Sequence, residues 1–292
     1  MGTLDPDIRS LTTGDLDGAF GLSSTAGWNQ RLADWRMLLQ LAPAGSFAAV
    51  AGDRIIGTAI GIDYGTFGWI AMMLVDPAWR GRGLGARLLE EAIGAVPPEV
   101  PIRLDATPLG RPLYQRYGFE DEAQLTRHVA EPSIDSTSDG GTHRVRRLTA
   151  ADLPAVIKRD DRIFGAHRRL LLEWTLEGAG RYAQVIDTDA GPQYCFGRPG
   201  RLFDQIGPVV AADDDSARAL VSASLPAADG KAVVIDAFDR HTGFTEWLKS
   251  RGFVASRPLF RMRRKPRHGA GGGSHKPHGA FAERAILGPE FA

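Results

Sequence analysis

Cysteine is almost absent from this sequence. Cys195 is the only one in 292 residues, so no intrachain disulfide can form, and a lone thiol does not make a cysteine-based metal site. Excess charge is also missing: 35 lysines and arginines balance 35 aspartates and glutamates. Nucleic acids and anionic membrane surfaces are held by surplus positive charge, so neither is an expected partner. No run of about 18 apolar residues exists to cross a bilayer. Residues 1–7 lack the apolar core of a secretion signal. These absences point to a soluble, cytoplasmic protein. Lysine is scarce too, leaving arginine to carry the basic charge, which reads as compositional bias. What remains is ample apolar material, 43% of residues, enough for one large core or two ordinary ones.

The stretch from Met72 to Ala92 is the most informative. An apolar run ends at Asp76-Pro77. A loop with Arg80, Gly81, Arg82, Gly83 and Gly85 follows, and then Leu84, Leu88 and Leu89 repeat at helical spacing. Glycines let consecutive backbone N–H groups converge on one point, and a helix starting there adds its free N–H groups and dipole. The two arginines add charge. This is an anion cradle, but its spacing is neither the Walker nor the dinucleotide-binding pattern.

The order Arg80-x-x-Gly83-x-Gly85, directly after Val75-Asp76-Pro77, resembles the pyrophosphate loop of the GNAT superfamily of acyl-CoA-dependent N-acyltransferases. The resemblance implies acetyl-CoA as cosubstrate and no metal. It implies a coenzyme site formed by Leu74, Val75, Arg80, Gly81, Arg82, Gly83, Leu84, Gly85 and Ala86. It also implies a bulged fourth strand, whose main chain near Leu74 and Val75 would pair with the pantetheine arm. The sequence itself does not reveal a bulge.

Around that stretch, strands are expected near Ile8, at residues 47–51 and 55–60 around the Gly52-Asp53 turn, at 69–75, 102–106 and 124–129. Helices are expected after Thr12, over 28–39, after Gly83 and over 108–117. The order fits the GNAT unit across about residues 4–130. Residues 131–142 have linker composition. Beyond them the chain repeats itself. Ile8-Arg9-Ser10-Leu11-Thr12 is echoed by Val145-Arg146-Arg147-Leu148-Thr149, and Gly118-Phe119 by Gly252-Phe253. The expected fold is therefore α/β (α+β), two tandem GNAT-like domains, each a mixed, mostly antiparallel sheet flanked by helices. The domains are 1–130 and a degenerate copy over 143–266. A flexible Gly/His-rich loop over 267–279 and a C-terminal strand or tail over 280–292 follow. The copy is degenerate because its counterpart of the cradle is six residues shorter, lacks glycine and carries Asp213-Asp214-Asp215, which would repel a pyrophosphate. The basic cluster at Arg261–Lys265 reads as a solvated strand end. His268, His275 and His278 offer no rigid ligand set.

Amide formation from a thioester needs a neutral amine, a polarised carbonyl and a proton for the leaving thiolate. A phenol with a pKa near about 10 can protonate a thiol whose own pKa is about 8.5. Tyr114, four residues before Gly118-Phe119, matches the position of the general acid in the GNAT superfamily. Tyr117 competes for it but reads as core. A general base is harder to place, since residues 69–75 contain no carboxylate. Asp105 is the best-placed candidate, ahead of Asp34 and Asp63, and a water-mediated base is the alternative. Trp28, Asn29 and Asp34 fall where GNAT proteins build the acceptor side, and core packing with helix capping is their other reading. His167 and Cys195 read as structural.

The expected function is acetyl-CoA-dependent N-acetyl transfer to a primary amine of a small molecule. The alternatives are a non-catalytic acyl-CoA-binding sensor, favoured by the missing carboxylate, and a protein N-acetyltransferase. No nucleic-acid or membrane partner is expected, and a homodimer stays open.

Overall fold

A computed structural model describes residues 6–131, 144–268 and 282–291. Most of the expected linker and of the Gly/His-rich loop lies outside the described residues.

The first half runs β1 (Asp7–Ser10), α1 (Leu16–Thr25), α2 (Leu32–Leu41), β2 (Ser46–Ala51), β3 (Arg54–Asp63), β4 (Gly68–Val75), α3 (Leu84–Gly94), β5 (Ile102–Ala106), α4 (Arg111–Arg116) and β6 (Glu120–Ala130). The second repeats it as β7 (Val145–Arg147), α5 (Leu153–Phe164), α6 (Arg169–Ala179), β8 (Gln184–Ile186), β9 (Gln193–Arg198), β10 (Asp204–Val210), α7 (Asp214–Ser224), β11 (Val233–Phe238), α8 (Thr242–Ser250) and β12 (Val254–Arg264), with a last strand β13 (Glu283–Ala285). The repeat extends to atomic detail. Asp15 closes a capping box with Thr12 and pairs with Arg9 at 2.8 Å. Asp152 does the same with Thr149 and pairs with Arg146 at 2.7 Å.

Sequence periodicity explains the layers. β3 and β4 are almost wholly apolar and buried, as central strands covered on both faces must be. α3 buries Leu84, Leu88, Leu89, Ala92 and Ile93, a stripe at helical spacing, against β3 and β4. α1 and α2 cover the opposite side with Leu16, Trp35 and Leu38.

The two halves do not own separate sheets. Among the described residues the strands form one sheet in the order β1-β2-β3-β4-β5-β12-β6-β11-β13-β10-β9-β8-β7. Of the pairings among the described residues, β4–β5 and β10–β11 are parallel and the rest antiparallel. The last strand of each half has crossed over. β12 pairs with β5 through Phe260↔Ala106 and its neighbours, and β6 pairs with β11 through Val234↔Val129. Dividing the chain at residue 130 would strip one strand from each half. Asn29 adds a clasp. Its Nδ2 donates to the Phe203 carbonyl at 3.0 Å, and its Oδ1 accepts from Leu202 N and Phe203 N at 2.8 and 3.0 Å.

Candidate active site

The cleft of the first half begins as a fault in β4. Thr58 of β3 faces Leu74 while Ile60 faces Ala71, so β4 carries one extra residue over that step. The bulge falls at Met72, whose φ is +51°, and Thr58 Oγ1 donates to the Met72 carbonyl at 2.7 Å. β4 then parts from β5. The two pair only at Gly68↔Ile102 and Trp69↔Arg103, and a wedge opens toward Val75.

At the mouth of the wedge lies the glycine loop. Asp76 Oδ1 accepts from Ala78 N at 2.9 Å and sets a tight turn, while Arg80 Nε donates to the Val75 carbonyl at 3.0 Å. Gly81 and Gly83 take left-handed φ values of +75° and +78°, which a side chain would resist. Gly83 is the N-cap of α3 and has no side chain to satisfy the first-turn N–H groups. Arg82 stacks on Trp79 at 5.0 Å. A helix start left open, two glycines and Arg80 suit the pyrophosphate of a coenzyme, and the wedge suits its extended arm.

The wedge widens into a cavity of about 520 Å³ that contains Met73, Val75, Arg80, Asp105 and Tyr114 in its wall. Tyr114 is 8% exposed and packs edge-on against Phe119 at 6.0 Å. Burial raises its pKa, so the phenol stays protonated. Tyr117 packs half-buried against the core beside Phe119, as expected, and its hydroxyl donates to Glu90 at 2.6 Å, away from the cavity wall.

Other expected site residues are employed elsewhere. Asp105 faces the cavity, but both of its oxygens accept from Arg261 at 2.9 Å and its side chain is fully buried. A carboxylate so engaged is neutralised by its arginine and is the weaker base for it. Asp34 does not reach the cavity. It is completely buried, accepts from Arg31 N at 2.6 Å at the start of α2 and pairs with Arg198 at 3.1 Å. Asn29 touches the cavity wall, yet its amide is spent on the clasp to residues 202–203. Of the three expected acceptor-side residues, Trp28 lines the cavity without such a commitment. Asp63 caps a turn through Gly65 N at 2.8 Å. His167, exposed, hydrogen-bonds Asp161 at 2.8 Å, and burial pushes the Cys195 thiol up to about 12.

Among the wall residues that were not anticipated are Arg127 on β6, Arg257 on β12, and Pro289 and Glu290 near the end of the chain. The arginines arrive through strand exchange. Pro289 and Glu290 arrive through a tail whose apolar Ala285-Ile286-Leu287 is the one signal in the sequence that it returns to the core.

The second half has the same wedge, filled by this tail. β10 is bulged between Ile206 and Val209, and it meets β11 only at Asp204↔Val233 and Gln205↔Val234. β13 enters the gap, pairing Val209↔Ala285 on one side and Ala237↔Ala285 on the other. Ile286 N donates to the Asp236 carbonyl at 3.1 Å, and Ile286 and Leu287 are completely buried. The helix start is closed as well. Asp213 is the N-cap of α7 and accepts from Ser216 N at 2.7 Å, while Asp214 pairs with Arg284 of the tail at 3.0 Å. A carboxylate and a peptide strand thus stand where the first half leaves an open N-terminus and an open wedge.

Comparison with known proteins agrees with this geometry. A family model described as an acetyltransferase (GNAT) domain matches residues 43–121, and another of the same description matches residues 156–270. A holothin acyltransferase from a Pseudoalteromonas species is 27% identical over 242 residues, 81% of this chain and 80% of its own length. An uncharacterised N-acetyltransferase, YitH, of Bacillus subtilis is 26% identical over 268 residues, 87% and 89% of the two chains. The crystal structure of a putative acetyltransferase from Pyrococcus horikoshii superposes with a TM-score of 0.73 at 21% identity, covering 99% of this chain and 97% of its own. A GCN5-related N-acetyltransferase from Sphaerobacter thermophilus does so with a TM-score of 0.66 at 15% identity, over 91% and 97%. The chain belongs to the GNAT acetyltransferase family and carries two of its units in tandem.

Proposed function

We propose that the first half is an acetyl-CoA-dependent N-acetyltransferase acting on a primary amine of a small molecule. The observation that carries this is the open β4–β5 wedge, with an uncapped helix start at its mouth and Tyr114 in its wall. The pyrophosphate rests on the Gly81–Gly85 backbone and Arg80. The pantetheine arm lies along Met73–Val75, which directs the thioester carbonyl at main-chain donors. Nitrogen attacks that carbonyl, the C–S bond breaks, and Tyr114 passes its phenolic proton to the departing thiolate. The cavity's size, about 520 Å³, with Trp28 in its wall, suits a small acceptor. The relative named as a holothin acyltransferase supports acyl transfer.

The second half does not bind coenzyme on this reading, because its wedge and helix start are filled by the chain itself. It serves as a scaffold that lends β12 and the tail to the first. Among the described residues no helix is long and apolar enough to cross a membrane.

Calorimetric titration with acetyl-CoA, followed by thiol release across a panel of primary amines, tests the proposal. One binding site per chain and amine-dependent thiol release are expected. Two sites, or none, would refute it. A second reading, an acyl-CoA sensor without catalysis, rests on the lack of a carboxylate in β4. Tight binding with no release for any amine would favour it.

A further inference from the structure

A cleft that acetylates amines must also remove a proton. An alkylammonium ion has a pKa near about 10.4 and is charged at neutral pH, so some group must take its proton before nitrogen can attack. Two carboxylates border the cavity, Asp105 and Glu290. Asp105 is held at both oxygens by Arg261.

Glu290 differs in three respects. It is 3% exposed; its Oε1 accepts from Arg198, its Oε2 has no well-formed hydrogen bond among the described residues, and the nearby Gln30 side chain and Glu290 N–H favour its charged form only slightly. It shares that arginine with a second, completely buried carboxylate, since Arg198 Nη1 lies 3.1 Å from Asp34. Finally, it is fixed from both sides in sequence. Trp69 Nε1 donates to the Pro289 carbonyl at 3.0 Å, and Tyr64 donates to the Phe291 carbonyl at 3.1 Å, with Phe291 fully buried. A tail held this way presents one carboxyl group in one place.

We propose that Glu290, brought to the first half's cleft by the C-terminal tail, is the proton acceptor for the amine, and that the filled wedge of the second half is the anchor that delivers it. The inference rests on the acetyl-transfer reading above. The Glu290 carboxylate takes one proton from the ammonium and releases it to water; the neutral nitrogen then forms the C–N bond as the C–S bond breaks, Glu290 takes the second proton from nitrogen, and Tyr114 protonates sulfur. Glu290 passes that second proton to water and Tyr114 regains one from water, so of the two protons nitrogen loses, one ends on sulfur and one in solvent.

The surroundings favour this role. Burial raises the pKa of Glu290; Arg198 opposes the rise and Asp34 adds to it. A carboxyl group with a raised pKa holds a proton more firmly and is the stronger base. The charged groups facing it from neighbouring elements are Arg198 on β9, Asp34 on α2, Arg127 on β6 and Arg257 on β12. Arg127 is itself paired with Asp236 at 2.7 Å.

The test compares full-length wild type, Glu290→Gln and Glu290→Asp. Each is titrated with acetyl-CoA by calorimetry, and each is assayed over pH 5–9 with the amine that gives wild type its highest rate of thiol release. Glu290→Gln keeps the side-chain shape and a contact to Arg198. It is expected to bind acetyl-CoA within about twofold of wild type, to lose about 100-fold or more in kcat, and to lose the acid limb of kcat/KM. Glu290→Asp is expected to keep that limb at a reduced rate, which a purely structural role would not produce. If Glu290→Gln retains kcat within about threefold with the wild-type pH profile, the proposal fails while the acetyltransferase reading stands. If wild type binds acetyl-CoA but acetylates no amine, Glu290 has no proton to accept and the proposal fails. If wild type does not bind acetyl-CoA, both fall together.

Discussion

A Cβ atom on Gly207 would lie 1.9 Å from the carbonyl oxygen of Ile286. The bulge of β10 and the tail that fills the second wedge are therefore fitted to each other at backbone distance. Neither partner in that contact is a flexible side chain, so nothing can swing aside. Gly207→Ala is expected to destabilise the protein by about 3 kcal/mol or more, the upper range for overpacking. Urea unfolding measures it, and a midpoint within error of wild type would count against the fit.

On the proposed mechanism Tyr114 supplies the proton that the departing thiolate takes. Tyr114→Phe removes one oxygen from a buried ring and leaves its edge contact with Phe119 in place. A drop in kcat of about 100-fold is expected, with little change in the affinity for acetyl-CoA. Because burial holds the phenol protonated, the wild-type rate should show no falling limb from Tyr114 below about pH 10. Steady-state kinetics on both proteins settles the point.

At the coenzyme loop the sensitive atom is the α-carbon of Gly83. Its φ of +78° costs an alanine about 1 kcal/mol or more, and the strain falls on the start of α3. Gly83→Ala should raise the dissociation constant for coenzyme A several-fold while leaving the unfolding transition cooperative. Calorimetry would detect it, and unaltered binding would place the pyrophosphate elsewhere.

Asn29 holds the two halves together through three hydrogen bonds to residues 202–203. Asn29→Ala leaves two backbone N–H groups and a carbonyl without these partners. A loss of about 2 kcal/mol is expected. The KM for the acceptor amine should change little, because the amide was never available to a ligand. A large KM effect at constant stability would return Asn29 to the acceptor site.

Acid titration separates the mirrored capping boxes from the rest. The hydrogen bond from Arg146, aided by Thr149, holds the Asp152 carboxyl at about 2, below its ordinary 3.8. A depressed carboxylate stabilises the fold above its unfolded pKa and loses that contribution as the pH falls from about 4 to about 2. Asp152→Asn should therefore cost about 1 kcal/mol at pH 7, where the pair is partly solvent-screened, and almost nothing near pH 2. Thermal unfolding at the two pH values checks the difference.

Local chemistry carried much of this protein in its sequence. The glycines and arginines at 80–85 specify a turn that only glycine tolerates, and the turn lies at a helix start as its spacing implies. The Thr-x-x-Asp boxes at Thr12 and Thr149 repeat because the same residues make the same caps. The fold class and the tandem pattern follow from such periodic and local signals. The acceptor side did not, because it is built from distant parts. Asp34 and Asn29 have the right residue types in the right segment, but Arg198 and residues 202–203, more than 160 positions away, claim their hydrogen bonds. Asp105 is claimed by Arg261 in the same way. A bulge leaves no mark on an apolar run, since Met72 and Met73 read like their neighbours. Strand exchange is equally silent: β6 and β12 are similar ladders, and sequence does not say which of β5 and β11 each one joins. Glu290 is the sharpest case. A glutamate two residues from the end carries no signal of its own. It reaches the cleft because β13 finds two unpaired strand edges in the second wedge, and closing them satisfies backbone groups that would otherwise be buried without partners.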